Sequence, residues 1–481
     1  MLFDRDHAPR VLSSEQEEIV HEQAMRILEE IGLDVLHEGA RMYLADAGVQ
    51  LEGDRARFDR GFIAERLASV PRTFVLHARN PANSVEVGGG TPLWMNVGGP
   101  PFASDLDRGR REGSLEAHDE LVKMTHAADV LNCVQTGAVE AVELPVGTRH
   151  MDMEYSALRW SDLPYTTYGT SGPKARDGIR MAQIAHGDDT GDDTLLMGIV
   201  NSNSPLVWDF RMSDALIAWA EHNQAIVVTP FLLAGATSAV SVAGGLAQQV
   251  AEALSGVALA QVVRPGAPCL YGSFFTVTDM RTGAPAFGTP ESVFGVLAGA
   301  QMARRYGLPF RGGGGLASAN AVNAQAAAET QMMLWATMLA GTDVVLHAAG
   351  WLEGGLTASY EKFALDVELL GQFRRQMQGI GFSDEELAFD ALKEVGPGGL
   401  FLSSPHTRQH FKEWLSMSPL FQTPDFATWE MSGAEDTAQV ANGLWKKLLA
   451  SYEDPGIDPA TDEELRAYVE RRKADPPETE D

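Results

Sequence analysis

The feature that most limits how this chain can fold is a rhythm. From Ser114 onward, apolar runs of strand length recur near residues 130–138, 164–170, 195–204, 225–233, 269–277, 309–316, 342–349 and 395–404. Helical patterns fill the intervals, clearest at 237–262, at 290–306 with Pro290 near the first turn, and at 359–378. Eight strand candidates alternating with helices over about 290 residues predict an α/β fold, a (β/α)8 TIM barrel. A doubly wound open sheet is the alternative, but no GxGxxG opens a helix here.

Around that barrel the chain divides in three. Residues 1–90 read as a small N-terminal α+β cap. It opens with an amphipathic helix over 14–32 that has a Ser signal before it and a Gly after it. TPLWMNVGGPPFASDLDRGRREG then reads as an extended, Gly/Pro-rich passage into the barrel domain, assigned to 91–420. Residues 421–481 form a C-terminal helical extension with an acidic tail, of which the last six residues, PPETED, are expected to be disordered.

Composition removes several classes of function. No run approaches 18 apolar residues, so no membrane-spanning segment is expected. The N-terminus, MLFDRDHAPR, carries charges where a signal peptide needs an apolar stretch, so a cytoplasmic location is expected. A net charge of −29 disfavours nucleic acid and anionic membranes as partners. The two cysteines, Cys133 and Cys269, belong to no CxxC or Cys/His cluster, which excludes a disulfide scaffold and a zinc-thiolate centre. His150, Asp152 and Glu154, and the pair His406/His410, have metal-like spacing. Neither group matches HExxH, so both are read as surface helix residues and no metal is expected.

The stretch from Pro309 to Phe363 is the richest in unusual residues. A strand-like run ends in Gly312 to Gly315. A helix follows from Asn323 to Ala340, and Val344, Val345 and Leu346 then deliver His347, Gly350, Trp351 and Glu353 into a second Gly-rich loop. In parallel α/β folds, chemistry is built at that carboxyl end of the strands. No Lys-Ser/Thr follows the glycines, so a tight turn allowing close backbone approach is favoured over a phosphate loop. Aromatic residues recur at strand ends: Tyr165, Tyr168, Trp208, Phe210, Phe231, Tyr271, Phe274 and Phe275. Most are expected in the core. Those at the mouth suit a cage for a quaternary ammonium, worth up to ~2 kcal/mol per desolvated ring. Arg311, Asn201 and Asn320 are polar groups at equivalent ends, able to orient a carboxylate.

Four segments, DMRTGAPAFGTPE (279–291), GGGGLASANAVNAQAAAE (312–329), HAAGWLEGGLTASYEKF (347–363) and EVGPGGLFLSSPHTRQHF (394–411), together resemble the trimethylamine methyltransferase (MttB-type) family. The opening IGLDVLHEGARMYLADAGVQLEGD resembles it too. The resemblance implies a barrel that passes a methyl group from a methylated amine to the Co(I) of a corrinoid held by a separate protein. Archaeal members carry a pyrrolysine in the barrel. Here the loop SANAVN (318–323) takes that place, with Asn320 at the position, and no pyrrolysine is present. The chain is therefore similar to members that act on glycine betaine and related quaternary amines. A quaternary nitrogen already carries its charge and leaves as a neutral amine, so no adduct-forming residue or strong general acid is required. The barrel has to desolvate the cation and aim one methyl.

The resemblance thus implies a corrinoid-dependent methyltransferase for a small betaine, with no permanently bound cofactor. Its expected partners are a corrinoid-binding protein, a quaternary amine and further copies of the chain in a homo-oligomer. His347, Asn320 and Glu353 are the expected catalytic set, with His347 on the carboxylate side of the substrate. Phe274, Tyr271 and Trp351 are the cage candidates, Arg311 and Asn201 polar contacts, and Gly312, Gly313 and Gly314 a corrinoid-facing loop. Two other readings remain at this point: a corrinoid-independent barrel lyase or hydrolase, and a non-catalytic betaine-binding subunit.

Overall fold

The computed structural model describes residues 3, 5–187 and 189–475; the PPETED tail lies outside them. Its centre is a closed barrel of eight parallel strands: β1 (Leu93–Asn96), β2 (Val134–Gln135), β3 (Tyr165–Thr166), β4 (Met197–Val200), β5 (Ala225–Val228), β6 (Cys269–Gly272), β7 (Phe310–Gly313) and β8 (Val344–Ala349). Each strand pairs with the next, β8 pairs with β1, and a bridge between Met95 and Cys133 joins β1 to β2. One helix follows each strand: α1 (Leu115–Ala127), α2 (Arg149–Trp160), α3 (Gly172–His186), α4 (Phe210–Glu221), α5 (Val242–Val263), α6 (Pro290–Arg305), α7 (Ala324–Leu339) and α8 (Tyr360–Met377).

Side chains alternate across the strands. Leu93, Met95, Cys133, Met197, Ala225, Val227, Leu270, Val344 and Leu346 form an inner core, while Trp94, Ile226, Tyr271 and Phe310 pack outward against the helices. The inner core is closed from below by Leu76 and Val87 of the hairpin Phe74–Leu76/Val85–Val87. Helix α5 is apolar and long enough to pass for a membrane span, yet 83% of its apolar window is buried inside the protein. It is apolar all round because it packs between the barrel and the N-terminal cap.

Two strand expectations change. The barrel begins with Leu93–Asn96, inside the passage read as a linker, and residues 395–404 contain no strand. There Gly396 and Gly398 adopt positive φ (66° and 77°) and Phe401–Ser403 makes a single 3-10 turn, so the backbone turns away from any sheet edge.

The cap opens with a helix (Ser14–Arg26) started by a Ser13/Gln16 capping box; a wider turn (Ile27–Ile31) follows, and Gly32 at φ 74° ends it. Its sheet (Leu33–Val35, Arg55–Arg57, Gln50–Glu52) gains a fourth strand from the β4–α4 loop, Val207–Trp208, which ties the cap to the barrel. Among the C-terminal helices, Thr437–Ala450 packs on α8 and α1, with Trp445 Nε1 donating to Glu361 (3.0 Å). The last helix, Pro459–Ala474, docks on α2 and α3: Arg472 and Tyr468 reach Asp177, and Lys473 reaches Asp152. His150 and Glu154, read as surface residues, are buried. His150 pairs with Asp177 at 3.1 Å, and Glu154 faces the barrel wall. His406 and His410 both engage Glu385.

Candidate active site

A cavity of about 210 Å³ opens at the carboxyl ends of the strands, lined from β1 round to β8. At ~30 Å³ per water it has room for roughly seven waters, which suits a molecule the size of an amino acid.

His347 enters it through a backbone irregularity. It has φ 55°, unusual for a residue other than glycine, and the β8–β1 register breaks between Val345 and Ala349. Such a bulge re-aims a side chain at a functional site. The surrounding hydrogen bonds hold it in place. Gly314 N–H donates to Leu346 O (2.7 Å), Gly315 N–H to His347 O (2.9 Å) and Val97 N–H to Ala349 O (2.7 Å). Just beyond, Gly350 N–H donates to Asp366, which pairs with Lys362 in a fully buried ion pair; the ammonium also donates to Gly315 O (3.0 Å). Gly98 N–H donates to His347 Nδ1 (3.2 Å), so the ring proton belongs on Nε2. Burial, with help from Arg311, holds the imidazole well below its ordinary pKa, and it is neutral near pH 7.

Arg311, on β7, is 2% exposed. Its guanidinium donates to Ser273 O (3.2 Å) and lies 4.9 Å from the Phe274 ring centre, while Nε has no partner. No carboxylate of the described residues pairs with it. Burial pulls its pKa down to about 9, which leaves it charged at neutral pH. An uncompensated buried charge costs several kcal/mol, so its retention marks a place for an anionic group of a ligand.

Across the mouth the wall has the opposite character. Gln135 Oε1 and the hydroxyls of Thr136 and Thr166 are buried, line the cavity and have no partner; the Thr229 hydroxyl, just after β5, is likewise unpartnered but stands toward Gly272 of β6. Tyr168 stands beside them with its hydroxyl on Glu140, which Arg149 also pairs (2.8 Å). The chain packs closely here: a Cβ on Gly98 would meet Gln135 at 2.4 Å. The cavity is therefore dipolar, with a cation on the β7 side and bare oxygens with an aromatic face on the β2–β3 side.

The remaining candidates separate. Phe274 lines the cavity and anchors an aromatic cluster, stacking on Phe231 (4.7 Å) and Phe287 (5.7 Å) and meeting Trp351 edge-on (6.0 Å). Trp351 lies 4.5 Å from His347 and backs that ring without lining the cavity. Asn201 lines the cavity and donates to Thr229 O (2.7 Å). Tyr271 faces the helices, its hydroxyl 3.3 Å from Gln249, because it stands one residue out of phase with the inward Leu270. Glu353 is held outside by Arg110 (2.8 and 3.1 Å) and Thr357. Asn320 is exposed on the β7–α7 loop and does not line the cavity. Gly312, Gly313 and Gly314 are buried and offer no face to a corrinoid. They let β7 and β8 close together: a Cβ on Gly314 would lie 2.4 Å from Ala348 Cα. Sequence reasoning passed over Gln135, Thr136, Thr166, Thr229 and Phe287, since nothing in their types or spacing distinguishes them.

The sequence model of the trimethylamine methyltransferase (MTTB) family matches residues 2–477. A glycine betaine methyltransferase of Desulfitobacterium hafniense (strain Y51) is 38% identical over 464 residues, covering 96% of this chain and 97% of that one. A proline betaine:corrinoid methyltransferase of Eubacterium limosum is 28% identical, covering 86% and 88%. The trimethylamine methyltransferase MttB of Desulfitobacterium hafniense (strain DSM 10664 / DCB-2) is 27% identical, covering 95% and 93%. The crystal structure of the Methanosarcina barkeri monomethylamine methyltransferase (MtmB) is a looser likeness, with 11% identity, coverage of 92% and 89% and a TM-score of 0.41. A family match over nearly the full length places the chain among methyltransferases and sets aside the lyase, hydrolase and non-catalytic readings: it belongs to the trimethylamine methyltransferase family.

Proposed function

We propose that the chain moves a methyl group from a small betaine, glycine betaine being the first candidate, to the Co(I) of a corrinoid presented by a separate protein. The observation that carries this reading is Arg311, a buried, unpaired guanidinium facing bare oxygens across a small cavity. A zwitterion with a carboxylate at one end and a quaternary ammonium at the other matches that dipole. The names of the relatives support the same substrate class.

The chain's own residues bind, orient and exclude water. Arg311 and the Nε2–H of His347 take the carboxylate. The hydroxyls of Thr136 and Thr166, Gln135 Oε1 and the Tyr168 ring receive the ammonium through its methyl groups, and the Phe274 ring closes the opposite side. No proton has to move at the nitrogen, which departs with its lone pair as a neutral amine, so a neutral His347 is sufficient. The corrinoid supplies the nucleophile, and a cavity of about 210 Å³ is far too small to admit it. The methyl must therefore be offered at the mouth.

The test is spectroscopic. Mixed with cob(I)alamin and glycine betaine, the protein is expected to convert the Co(I) spectrum to that of methyl-Co(III) and release dimethylglycine. No conversion with glycine betaine, proline betaine or carnitine would overturn the proposal.

A further inference from the structure

His118, on α1, is fully buried yet takes no part in lining the cavity. Its Nε2 accepts from Gly137 N–H (3.0 Å), which puts the ring proton on Nδ1. Nδ1 lies 2.9 Å from Ser156 Oγ on α2, and that hydroxyl in turn donates to Asp119. Each donor in this row therefore has its own acceptor, and the ring is held in one tautomer. Burial draws the imidazole down to about 3, so it stays neutral. The row runs inward from the helix layer and ends on a backbone amide two residues past β2.

That amide sits where the barrel has little else to hold it. β2 is only two residues long, and beyond it Thr136 N–H reaches Thr166 O at a long 3.3 Å. Residues 136–140 are all buried, so an N–H left without an acceptor there cannot turn to water.

Gly137 is also a junction between the two ends of the cavity. It has φ 79°, and a Cβ on it would lie 2.7 Å from the Tyr168 ring. Its carbonyl accepts from Gly99 N–H (2.8 Å), and the adjacent Gly98 N–H is the donor to His347 Nδ1 (3.2 Å). The residue before it is Thr136, whose unpartnered hydroxyl belongs to the cavity wall. One residue thus borders the ammonium end through Thr136 and Tyr168, and the carboxylate end through Gly98 and His347.

We propose that His118, with Ser156 and Asp119 behind it, is a positioning residue for the betaine site described above, on whose reading this rests: by holding Gly137 N–H it fixes the two ends of the cavity relative to each other. A histidine that only filled space between α1 and α2 would need neither ring nitrogen in a set state.

Two amide substitutions separate the ring nitrogens. His118→Gln places an acceptor where Nε2 stands. His118→Asn reproduces only the Nδ1 end, toward Ser156, and leaves Gly137 N–H bare. Both remove the ring, so a space-filling role predicts that they behave alike. Calorimetry with glycine betaine is expected to give His118→Gln an affinity within about 3-fold of the wild type, and His118→Asn a loss of about 10-fold or more. Nitrogen-15 NMR of histidine-labelled protein without ligand supplies a readout that needs no betaine. The His347 Nδ1 resonance should move in His118→Asn and stay in His118→Gln. Should the Asn variant fail to fold, Ser156→Ala keeps the ring but removes the acceptor of Nδ1–H, and it should move the same resonance. Equal betaine affinities for the two amide variants, or a His347 resonance unmoved in both His118→Asn and Ser156→Ala, would overturn the assignment. A wild type that binds no betaine would overturn the function proposed above, and the His347 resonance would still decide the link from His118.

Discussion

Glu154, on α2 facing the barrel wall, changes charge near neutrality. It is fully buried behind the cavity, where it accepts from Thr167 Oγ1 (3.1 Å) and Tyr168 N–H (3.2 Å). Burial pushes its pKa up to about 7, from an ordinary ~4.3. Between those values the folded chain binds a proton that the unfolded chain lacks. The stabilisation is complete below the unfolded value and is lost as pH rises through about 7. Glu154→Gln removes the titration, so the variant's stability should change less than the wild type's between pH 4.5 and 8. The difference should be on the order of 1–3 kcal/mol. Urea unfolding of both proteins across that range checks it, and parallel profiles would contradict it.

Single residues were also where the sequence was hardest to read. Arg311, His347, Phe274 and Asn201 were legible as chemically unusual residues at strand ends. Tyr271 was not separable from its neighbours, because a barrel strand is apolar on both faces and a one-residue error turns a side chain from cavity to helix layer. Thr136, Thr166 and Thr229 become notable only once folding leaves their hydroxyls buried without partners.

At the scale of elements, the site depends on how β7 and β8 end. The strained His347 backbone is held by Gly315 and Gly350, and both are tied to α8 through Lys362 and Asp366. Burial draws Lys362 downward and raises Asp366 to about 6, while their mutual attraction opposes both shifts. Removing one partner strands the other charge. Asp366→Ala is therefore expected to destabilise the fold by about 3–5 kcal/mol, whereas Lys362→Met/Asp366→Leu should recover much of that loss. If the double variant is stable, its weaker hold on Gly315 and Gly350 should still reduce betaine affinity. Equal stability of Asp366→Ala and wild type would show that the pair is not a support.

Seven of the eight barrel strands stood out as apolar runs, and the four barrel helices with predicted bounds, 237–262, 290–306, 323–340 and 359–378, lie within five residues of them. The first strand was hidden because LWMN is short and set among prolines and glycines. The false eighth, 395–404, had the composition of a strand but glycines that bend it. Whether an apolar run pairs depends on a neighbour distant in sequence, which local pattern does not record.

Across the whole molecule, two electrostatic scales oppose one another. The net charge of −29 draws cations towards the protein generally. The cavity, through Arg311, selects for a carboxylate. Choline and glycine betaine share the trimethylammonium group and differ in that carboxylate, so they separate the global field from the local site. Calorimetry of both ligands with the wild type and with Arg311→Gln is the most direct measurement. The wild type should bind glycine betaine about 30-fold or more tightly than choline, and the variant should lose that preference. With no ligand bound, the variant should melt no lower than the wild type, since it discards an uncompensated buried charge. Choline binding to the wild type as tightly as glycine betaine, or an Arg311→Gln protein that keeps the preference, would contradict a site built for a zwitterion.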